Sequence, residues 1–478
     1  MDKSSNLKIK DFDQYLYKIC DLISEYQEGL INDPVVPQID YNDLYGIIEN
    51  KFPLEGTNID QVLEDIKKTI IPNSSKVGHP RFLAWMNNSS SEAGVLGEIL
   101  NIGLSQVPFT YKGGPAATVL EDIVIKWFGQ MFGYKEYYGG TLVSGGTVAN
   151  LTALAVARET KIYNSMKNGI QNLNKPLVLY MSEQGHISIE RSVGILGIGI
   201  NNIRKIPTDK SYRIQIDYLK KQIKKDIDEG FQPFCVIAQA GAANSGAIDP
   251  ILEISKICKE FNLWLHVDAA YGGGVILTRE GKDLLKGIEN ADSITTDPHK
   301  WFYMPVESGL VLVKNKDNLY KTFSGSSCKA YRGPLDEKNY LNYGIQIARM
   351  SRSLKIWFAF RVYGINRIGK SIEHNLFLAQ EFKKKLESDK NWEILNPVNL
   401  SIICFRYKPD SNVSSQTLDE IQKRIIDKIE EEGKALLTPA VLQGKIGIRV
   451  CFANHRTTID DIEILYETLN RIGKNINY

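Results

Sequence analysis

The feature that most constrains the fold is a series of short, nearly continuous apolar runs between about residues 140 and 313. Examples are PLVLYMSE (176–183), PFCVIAQAG (233–241) and LWLHVDAAY (263–271), and stretches with helical patterns separate them. Uninterrupted apolar runs indicate strands that are covered on both faces, whereas half-exposed strands alternate between apolar and polar residues. Strands that alternate with helices are typical of a mostly parallel α/β sheet. We therefore predict a mostly parallel central sheet with helices on both faces.

Helical patterns also precede this sheet, at residues 11–31 and 58–71, where apolar residues recur at three- and four-residue spacing. Beyond the sheet, helix and strand patterns follow one another again. A chain of 478 residues is long enough for two or three domains. We predict a helical N-terminal segment (1–90), a large sheet-containing domain (91–365) and a small α+β C-terminal domain (366–478).

Charge and cysteine usage argue against several kinds of partner. The chain carries 58 Lys and Arg against 56 Asp and Glu, so its net charge of +2 gives no sign of nucleic acid or of an acidic membrane. Its six cysteines lie far apart without a CxxC pair, which argues against a zinc site and a disulfide framework. No apolar leader and no membrane-spanning apolar run is present. We expect a cytoplasmic protein that acts on a small molecule without a metal.

A glycine-containing turn offers a candidate anion site. Ser144, Gly145, Gly146 and Thr147 follow a predicted strand and open a predicted helix. Exposed amides at a helix N-terminus, approached closely through glycine and assisted by a hydroxyl, suit a phosphate. The stretch is neither a P-loop nor a dinucleotide GxGxxG motif. A tight strand-to-helix turn without a ligand explains the same residues, so this feature needs support from elsewhere.

That support comes from an aspartate, a lysine and a histidine further along the chain. Asp268 follows an apolar strand and is expected at the carboxyl edge of the sheet, where ligands of α/β sheets bind. Lys300 lies between His299 and Trp301, an unusual setting for a hydrated amine. Pyridoxal phosphate needs a lysine for its Schiff base and a carboxylate that keeps its ring nitrogen protonated. His186, after another strand-like run, could stack on the cofactor ring or be purely structural.

Five motifs resemble those of the group II pyridoxal-phosphate-dependent amino-acid decarboxylases. They are DPHKW (297–301), HVDAAYGG (266–273), SGGTVAN (144–150), GHPRF (78–82) and RSLKIWFAFRVYG (352–364). The similarity covers roughly residues 70–470. It implies a fold-type-I architecture and a homodimer in which a mobile loop of one subunit closes the active site of the other.

The resemblance also implies roles for individual residues. Lys300 is expected to form the Schiff base, Asp268 to pair with the pyridinium nitrogen and His186 to stack on the ring. Ala270 is expected to pack under the ring face. Phosphate-binding residues are expected to be Gly145, Gly146, Thr147 and His299. The loop within residues 322–344 contains Tyr331, which matches the family's tyrosine that protonates the carbanion after carbon dioxide leaves.

The implied reaction is decarboxylation of an L-amino acid to the amine and carbon dioxide through Schiff-base and quinonoid intermediates. One departure is Gly241-Ala242-Ala243, where relatives usually carry Gly-Thr-Thr. A missing hydroxyl leaves room for an altered reaction, such as oxygen-dependent conversion of the amino acid to an aldehyde. A transaminase is also an alternative, although DPHKW is much closer to decarboxylases. A non-catalytic scaffold has no need of Lys300, Asp268 and His186 together.

The substrate class stays open between two kinds of amino acid. Four aromatic residues could form flat apolar walls for an aromatic side chain, or could equally be core: Phe82, Trp85, Phe109 and Tyr111. Alternatively, Arg81 or Lys112 could hold the acidic side chain of glutamate, aspartate or cysteine sulfinate. We favour the aromatic substrate.

Overall fold

A computed structural model describes residues 7–86, 89–324, 338–409 and 413–476 of the protein. The helices are α1 (Phe12–Gly29), α2 (Tyr41–Ile47), α3 (Ile59–Asp65), α4 (Glu92–Leu104), α5 (Pro115–Met131), α6 (Gly146–Lys161), α7 (Ser165–Asn168), α8 (Ile187–Ile195), α9 (Ile216–Asp228), α10 (Ile251–Glu260), α11 (Gly281–Leu284), α12 (Lys316–Phe323), α13 (Ser353–Glu387), α14 (Ser415–Glu431) and α15 (Ile459–Asn475). The strands are β1 (Gly139–Val143), β2 (Leu177–Ser182), β3 (Ile203–Ile206), β4 (Gln232–Gln239), β5 (Trp264–Asp268), β6 (Ser293–Thr296), β7 (Gly309–Val313), β8 (Trp392–Ile394), β9 (Ile402–Tyr407), β10 (Thr438–Leu442) and β11 (Lys445–Cys451).

The central sheet has seven strands in the order β1-β7-β6-β5-β4-β2-β3. Only β7 runs against its neighbours, and the pairs from β6 through β3 are parallel. Every residue of β1, β2, β5, β6 and β7 is buried, as expected for strands with helices on both faces. The predicted mostly parallel, doubly covered sheet is confirmed.

A second sheet of four antiparallel strands, in the order β10-β11-β9-β8, follows the long helix α13. Its apolar face packs on α14 and α15 and forms a separate core that includes Phe382, Phe405, Ile425 and Leu469. Helix α15 begins with a capping box in which Thr458 and Asp461 exchange hydrogen bonds. Strands β8 and β10 are short and were not predicted from the sequence.

Helix α13 connects the two sheets and changes direction at Gly364, whose φ of 68° is outside the helical range. Glycine adopts this left-handed conformation without the steric cost that other residues incur. The kink coincides with the predicted end of the large domain at residue 365, a boundary that stays a prediction. Within the residues that the structure describes, no helix combines the length and the apolar character needed to cross a membrane.

Candidate active site

The topology brings the predicted site residues to one edge of the central sheet. Parallel strands end at the same edge, so the residues that follow β1, β2, β5 and β6 converge there. Ser144 follows β1, His186 follows β2, Asp268 ends β5, and Lys300 follows β6 by four residues. All four line one cavity of about 380 Å³. The geometry therefore brings these four residues together at one cavity, and their roles stay predictions.

The turn between β1 and α6 forms the candidate phosphate cradle. Gly145 stands at the N-cap of α6 and no side chain caps the first turn, so backbone amides face the cavity. A Cβ on Gly146 would lie 2.8 Å from Asp297 Oδ2, and a Cβ on Gly145 would lie 3.1 Å from His299 Cε1. These glycines are needed because the backbone approaches its neighbours closely, and the uncapped helix end suits an anion.

Both carboxylate oxygens of Asp268 have hydrogen-bond partners. Asn150 Nδ2 donates to Oδ2 at 2.9 Å, and the backbone N–H of Ala270 donates to Oδ1 at 3.1 Å. Asp268 is buried, with 5% of its surface exposed. The two donors therefore fix the carboxylate in place at the floor of the cavity.

A chain of buried side chains extends behind Asp268. Asn150 Oδ1 lies 2.9 Å from His266 Nε2, His266 Nδ1 lies 2.9 Å from Ser293 Oγ, and Trp264 Nε1 donates to Ser293 Oγ at 2.8 Å. Asn150 uses its Nδ2 to donate to the carboxylate, so its Oδ1 accepts from Nε2 of His266. Burial lowers the pKa of His266 to about 4, so its ring is neutral with the proton on Nε2. The chain locks Asn150, which in turn orients Asp268.

His186 belongs to the same network at its other side. Its Nδ1 accepts from the backbone N–H of Ser188 at 3.2 Å and lies 2.8 Å from Ser188 Oγ, which also accepts from Asn150 at 3.0 Å. Burial lowers the pKa of His186, and the opposing effect of the nearby Asp268 is smaller. The residue is nevertheless partly exposed on the side that faces the cavity. One amide thus positions both the carboxylate and the imidazole.

Lys300 is held by its neighbours in the sequence. Its Nζ lies 3.0 Å from Oδ2 of Asp297, a carboxylate of which 1% is exposed. The indole of Trp301 is fully buried, stacks on Tyr271 at 4.8 Å and donates to Asn375 Oδ1 at 3.0 Å. Because the next residue is fixed in the core, the lysine amine is presented to the cavity from a rigid backbone.

His299 lies on the opposite side of this segment, against the phosphate cradle. Its Nδ1 accepts from the backbone N–H of Ser308 at 3.0 Å, and burial lowers the pKa of its ring. A neutral ring whose Nδ1 accepts a hydrogen bond carries its proton on Nε2, which can donate to an anion.

The three predicted substrate contacts do not line this cavity. Phe82 is buried in a small cluster with Val35, Ala84 and Leu436. Trp85 is 56% exposed, and the ring of Phe109 lies against Gly113. The cavity wall is instead formed by other residues that sequence reasoning missed: Met86, Gln239, Tyr271, Val306 and Glu307.

The basic residues considered for an acidic substrate are also placed elsewhere. Arg81 donates to Asp461 at 2.7 Å and to the backbone carbonyl of Lys434, and Lys112 is exposed outside the cavity wall. Arg449 is buried and donates to the backbone carbonyls of Ala243 and Trp85. These two bonds connect β11 to the segment that follows β4 and to the segment that precedes α4.

Two further sequence expectations concern the loop and the alanine pair. Tyr331 lies outside the described residues. Ala242 is buried with Tyr212 and Cys404 in a small apolar cluster, whereas Ala243 borders the cavity. The methyl group of Ala243 therefore stands at a position from which a hydroxyl would reach the cavity.

The residues present fit pyridoxal phosphate. The cavity offers a primary amine in Lys300, a fully hydrogen-bonded carboxylate in Asp268 and an uncapped helix N-terminus beside two glycines. Ala270, whose Cβ would lie 3.4 Å from a Cβ on Gly146, borders the space between them. These are the amine, the ring-nitrogen partner and the phosphate site that the cofactor requires.

Comparisons with known proteins agree with this arrangement. The pyridoxal-dependent decarboxylase conserved domain matches residues 42–408. The aromatic-L-amino-acid decarboxylase of Bacillus atrophaeus is 35% identical over 100% of this chain and 98% of its own length. The phenylacetaldehyde synthase of Arabidopsis thaliana is 30% identical over 94% of each chain.

A solved structure is similar throughout. The Catharanthus roseus tryptophan decarboxylase in complex with L-tryptophan superposes with a TM-score of 0.89 and 28% identity, over 99% of this chain and 100% of that chain. The family match extends over well more than half of the sequence and the fold agrees along almost the whole chain. The chain therefore belongs to the pyridoxal-dependent decarboxylase family.

Proposed function

We propose that the protein removes the α-carboxylate of an aromatic L-amino acid as carbon dioxide and releases the amine, with pyridoxal phosphate as its cofactor. The observation that carries the proposal is the presence of Lys300, Asp268 and the uncapped N-terminus of α6 in one cavity. Family membership makes the protein a pyridoxal-phosphate-dependent amino-acid decarboxylase. The aromatic substrate is the specific part of the proposal.

The residues of the cavity have separate tasks. When bound, the cofactor supplies a ring that accepts the electron pair of the breaking bond to the carboxylate. Lys300 would hold the cofactor through its amine, which lines the cavity. Asp268 holds a proton at the ring nitrogen, since a fixed carboxylate stabilises a cation beside it. His186 contributes a neutral imidazole beside Asp268.

The charges around the cavity support an aromatic substrate over an acidic one. Among the described residues that line it, Lys300 is the only lysine or arginine, and burial lowers the pKa values of His186 and His299. Arg81 and Arg449 are engaged with other partners. Within that described lining, an acidic side chain would therefore meet no counter-charge besides the amine of Lys300.

The names of the relatives support the same class. The Bacillus atrophaeus protein is an aromatic-L-amino-acid decarboxylase, and the Catharanthus roseus structure contains L-tryptophan. The Arabidopsis thaliana phenylacetaldehyde synthase indicates the oxidative alternative. The proposed site residues are compatible with release of either an amine or an aldehyde. The products must therefore be identified by experiment.

We further propose that the protein is a homodimer. Helices α1, α2 and α3 have no buried residue, yet α1 is amphipathic and exposes Phe12, Leu16 and Tyr17. Large apolar side chains are also exposed at Tyr41 and Phe52. Apolar surface of this extent is typical of a subunit interface. Sedimentation equilibrium should give twice the 53.9 kDa chain mass, and a monomer at micromolar concentration would contradict the proposal.

We also propose a cytoplasmic location. The five described cysteines are free thiols and four of them are buried, which suits a reducing compartment. Cell fractionation would test the location, and recovery in an oxidising compartment would contradict it.

The function is tested by identifying the products. The purified protein is incubated with pyridoxal phosphate in air and, separately, with tyrosine, tryptophan, phenylalanine, DOPA, glutamate, aspartate or cysteine sulfinate. Mass spectrometry should find the amine of an aromatic amino acid. An amine from an acidic substrate alone would contradict the substrate class, and an aldehyde with hydrogen peroxide would place the protein in the oxidative branch. Lys300→Ala serves as the inactive control.

A further inference from the structure

We propose that the side-chain amide of Gln239 donates a hydrogen bond to the oxygen on the ring of the cofactor. The inference rests on the proposed function, because it concerns the cofactor on which that function depends. Gln239 is the last residue of β4. It is not one of the residues that the sequence predicted as cofactor contacts. The bond gives the oxygen-bearing edge of the ring a partner on the β4 side of the cavity.

The amide of Gln239 is enclosed and unused. Gln239 is 3% exposed and lines the same cavity as Lys300 and Asp268. Its Nε2 is buried and has no hydrogen-bond partner among the residues that the structure describes. A buried amide that donates to nothing is costly, so an acceptor in the cavity would stabilise it. A half-turn of the amide exchanges its nitrogen and oxygen without breaking any bond of Nε2, so the N–H can face a ligand.

The backbone of Gln239 is held from both sides. Its N–H donates to Oδ2 of Asp249 at 2.8 Å, and its carbonyl accepts from the N–H of Asp249 at 2.8 Å. On the other side, Gln239 is paired with Asp268 in the parallel register of β4 and β5. Side chains that are in register on neighbouring strands point to the same face of a sheet. The amide of Gln239 therefore extends from a fixed backbone beside the carboxylate of Asp268.

The order of the groups on the cofactor ring identifies the group that comes to β4. Around the ring stand the nitrogen, a methyl group, the oxygen, the aldehyde and the phosphate arm. With the nitrogen at Asp268, the aldehyde at Lys300 and the phosphate at the start of α6, the oxygen lies on the edge opposite the phosphate. The sheet order places β6, β7 and β1 on the phosphate side of β5 and β4 on the other side. The oxygen-bearing edge therefore faces β4.

The other wall residues on this side that the structure describes offer no free side-chain donor. Gly241 and Ala243 have no polar side-chain atom, and the hydroxyl of Tyr271 is engaged with Ser401. Beside a protonated ring nitrogen the ring hydroxyl loses its proton readily, because the positive charge favours the anion. A buried oxygen anion is stabilised by a donor that is already in place. Gln239 supplies that donor.

The test measures the binding of two probes to the cofactor-free protein by calorimetry. Pyridoxamine 5′-phosphate has the ring oxygen, and 3-deoxypyridoxamine 5′-phosphate lacks it. Neither has an aldehyde, so the amine of Lys300 forms no covalent bond with them. The wild type should bind the probe with the oxygen about tenfold or more tightly than the probe without it, as is typical of a hydrogen bond to a charged acceptor.

Gln239→Met removes the amide and nearly keeps the volume of the side chain. It should lose most of the preference for the ring oxygen, because it weakens binding of pyridoxamine 5′-phosphate about tenfold and does not weaken binding of the deoxy probe. Gln222→Met is the matched control. Gln222 lies on α9, donates to Asp226 at 3.2 Å and is not part of the cavity wall. This control should keep both affinities.

Three results would overturn the inference. One needs no variant, namely a wild type that binds the two probes equally well. Another is a Gln239→Met protein that keeps the wild-type preference for the ring oxygen. The third is an equal loss of affinity for both probes in Gln239→Met, because a single hydrogen bond to the ring oxygen does not affect the deoxy probe. These results leave the proposed function standing, whereas a wild type that binds neither probe would overturn the cofactor as well.

Discussion

The carboxyl ends of β5 and β6 carry two aspartates in neighbouring positions with opposite surroundings. Asp268 ends β5, and both of its oxygens accept hydrogen bonds from groups that are themselves fixed by a buried chain. Asp297 follows β6, pairs with the amine of Lys300 and has one buried oxygen without a partner among the described residues. The first carboxylate is held by two hydrogen-bond donors, whereas the second is held by the amine that is proposed to carry the cofactor. The difference shows that burial alone does not define the task of an acidic residue.

Replacing Lys300 removes the ion-pair partner of Asp297 and should have the largest effect on the reaction rate. Lys300→Ala removes the amine that holds the cofactor, and removing a covalent group typically costs on the order of 10⁴-fold in rate. The release of carbon dioxide at saturating cofactor measures the loss. Lys282→Ala, at an exposed lysine of α11, is the control and should turn over as the wild type. Near-normal turnover of Lys300→Ala would remove this lysine from the mechanism.

Neutralising Asp268 tests the other aspartate of the comparison. Asp268→Asn keeps the shape but removes the charge that stabilises a protonated ring nitrogen, so kcat should fall by about 100- to 1,000-fold. Cofactor affinity should change by less than about tenfold, because the phosphate site and Lys300 are intact. Steady-state rates and cofactor titration separate the two quantities. The matched control is Asp226→Asn, a buried aspartate bonded to Tyr180 and Arg204, which should lower stability and leave kcat per folded enzyme unchanged.

Removing Asn150 sharpens the comparison by loosening Asp268 without neutralising it. Asn150→Ala leaves the carboxylate without one of its two donors, and loss of such a supporting contact typically costs 10- to 100-fold, here about 10-fold or more in kcat. The pH at which the bound cofactor changes its absorbance should shift as well. Asn396→Ala, at a buried amide that bonds Ser245 and Ile402, is expected to change stability alone. An unshifted absorbance profile in Asn150→Ala would mean that this amide does not tune the site.

The buried histidines predict a smaller effect, on stability. Burial lowers the pKa values of His266, His79 and His455 to about 4, well below the ordinary 6.5. Between these values the unfolded chain binds more protons, so the free energy of unfolding falls as the pH drops from 6.5 toward 4. For the fully buried His266 this amounts to about 2 kcal/mol between pH 7 and pH 5, and to about 3 kcal/mol by pH 4. Urea unfolding at pH 7 and pH 5 measures the loss, which His266→Gln should reduce. Equal stability at both pH values would contradict the pKa shifts.

Much of the fold was predictable because its signals are local. Uninterrupted apolar runs indicated the strands of the central sheet, and amphipathic spacing indicated long helices such as α1, α9, α14 and α15. Strands β8 and β10 were missed because they are short and contain charged or proline residues, such as Glu393 and Pro439. Their pairing depends on contacts across the small sheet and not on their own composition.

The sequence predicted the residues that are expected to touch the cofactor, but not the residues that support them. Lys300 and Asp268 stand in recognisable motifs. Asn150 and His266 lie in motifs as well, but their hydrogen bonds in the chain that leads to Asp268 are seen only in the folded protein. A signal was available, because Asn150 lies one helical turn after Thr147 and His266 shares a strand face with Asp268. Phe82, Trp85 and Phe109 show the opposite case. They were plausible walls by composition, but packing of the chain placed other residues along the cavity.

The central claim is that Lys300 carries the cofactor, and borohydride reduction of the loaded protein tests it most directly. Reduction makes the bond between cofactor and amine permanent, and peptide mass spectrometry then locates the modified lysine. We predict one modified peptide that contains Lys300, and no modification in Lys300→Ala. A modification at another lysine in the wild type, or none at all, would contradict the account.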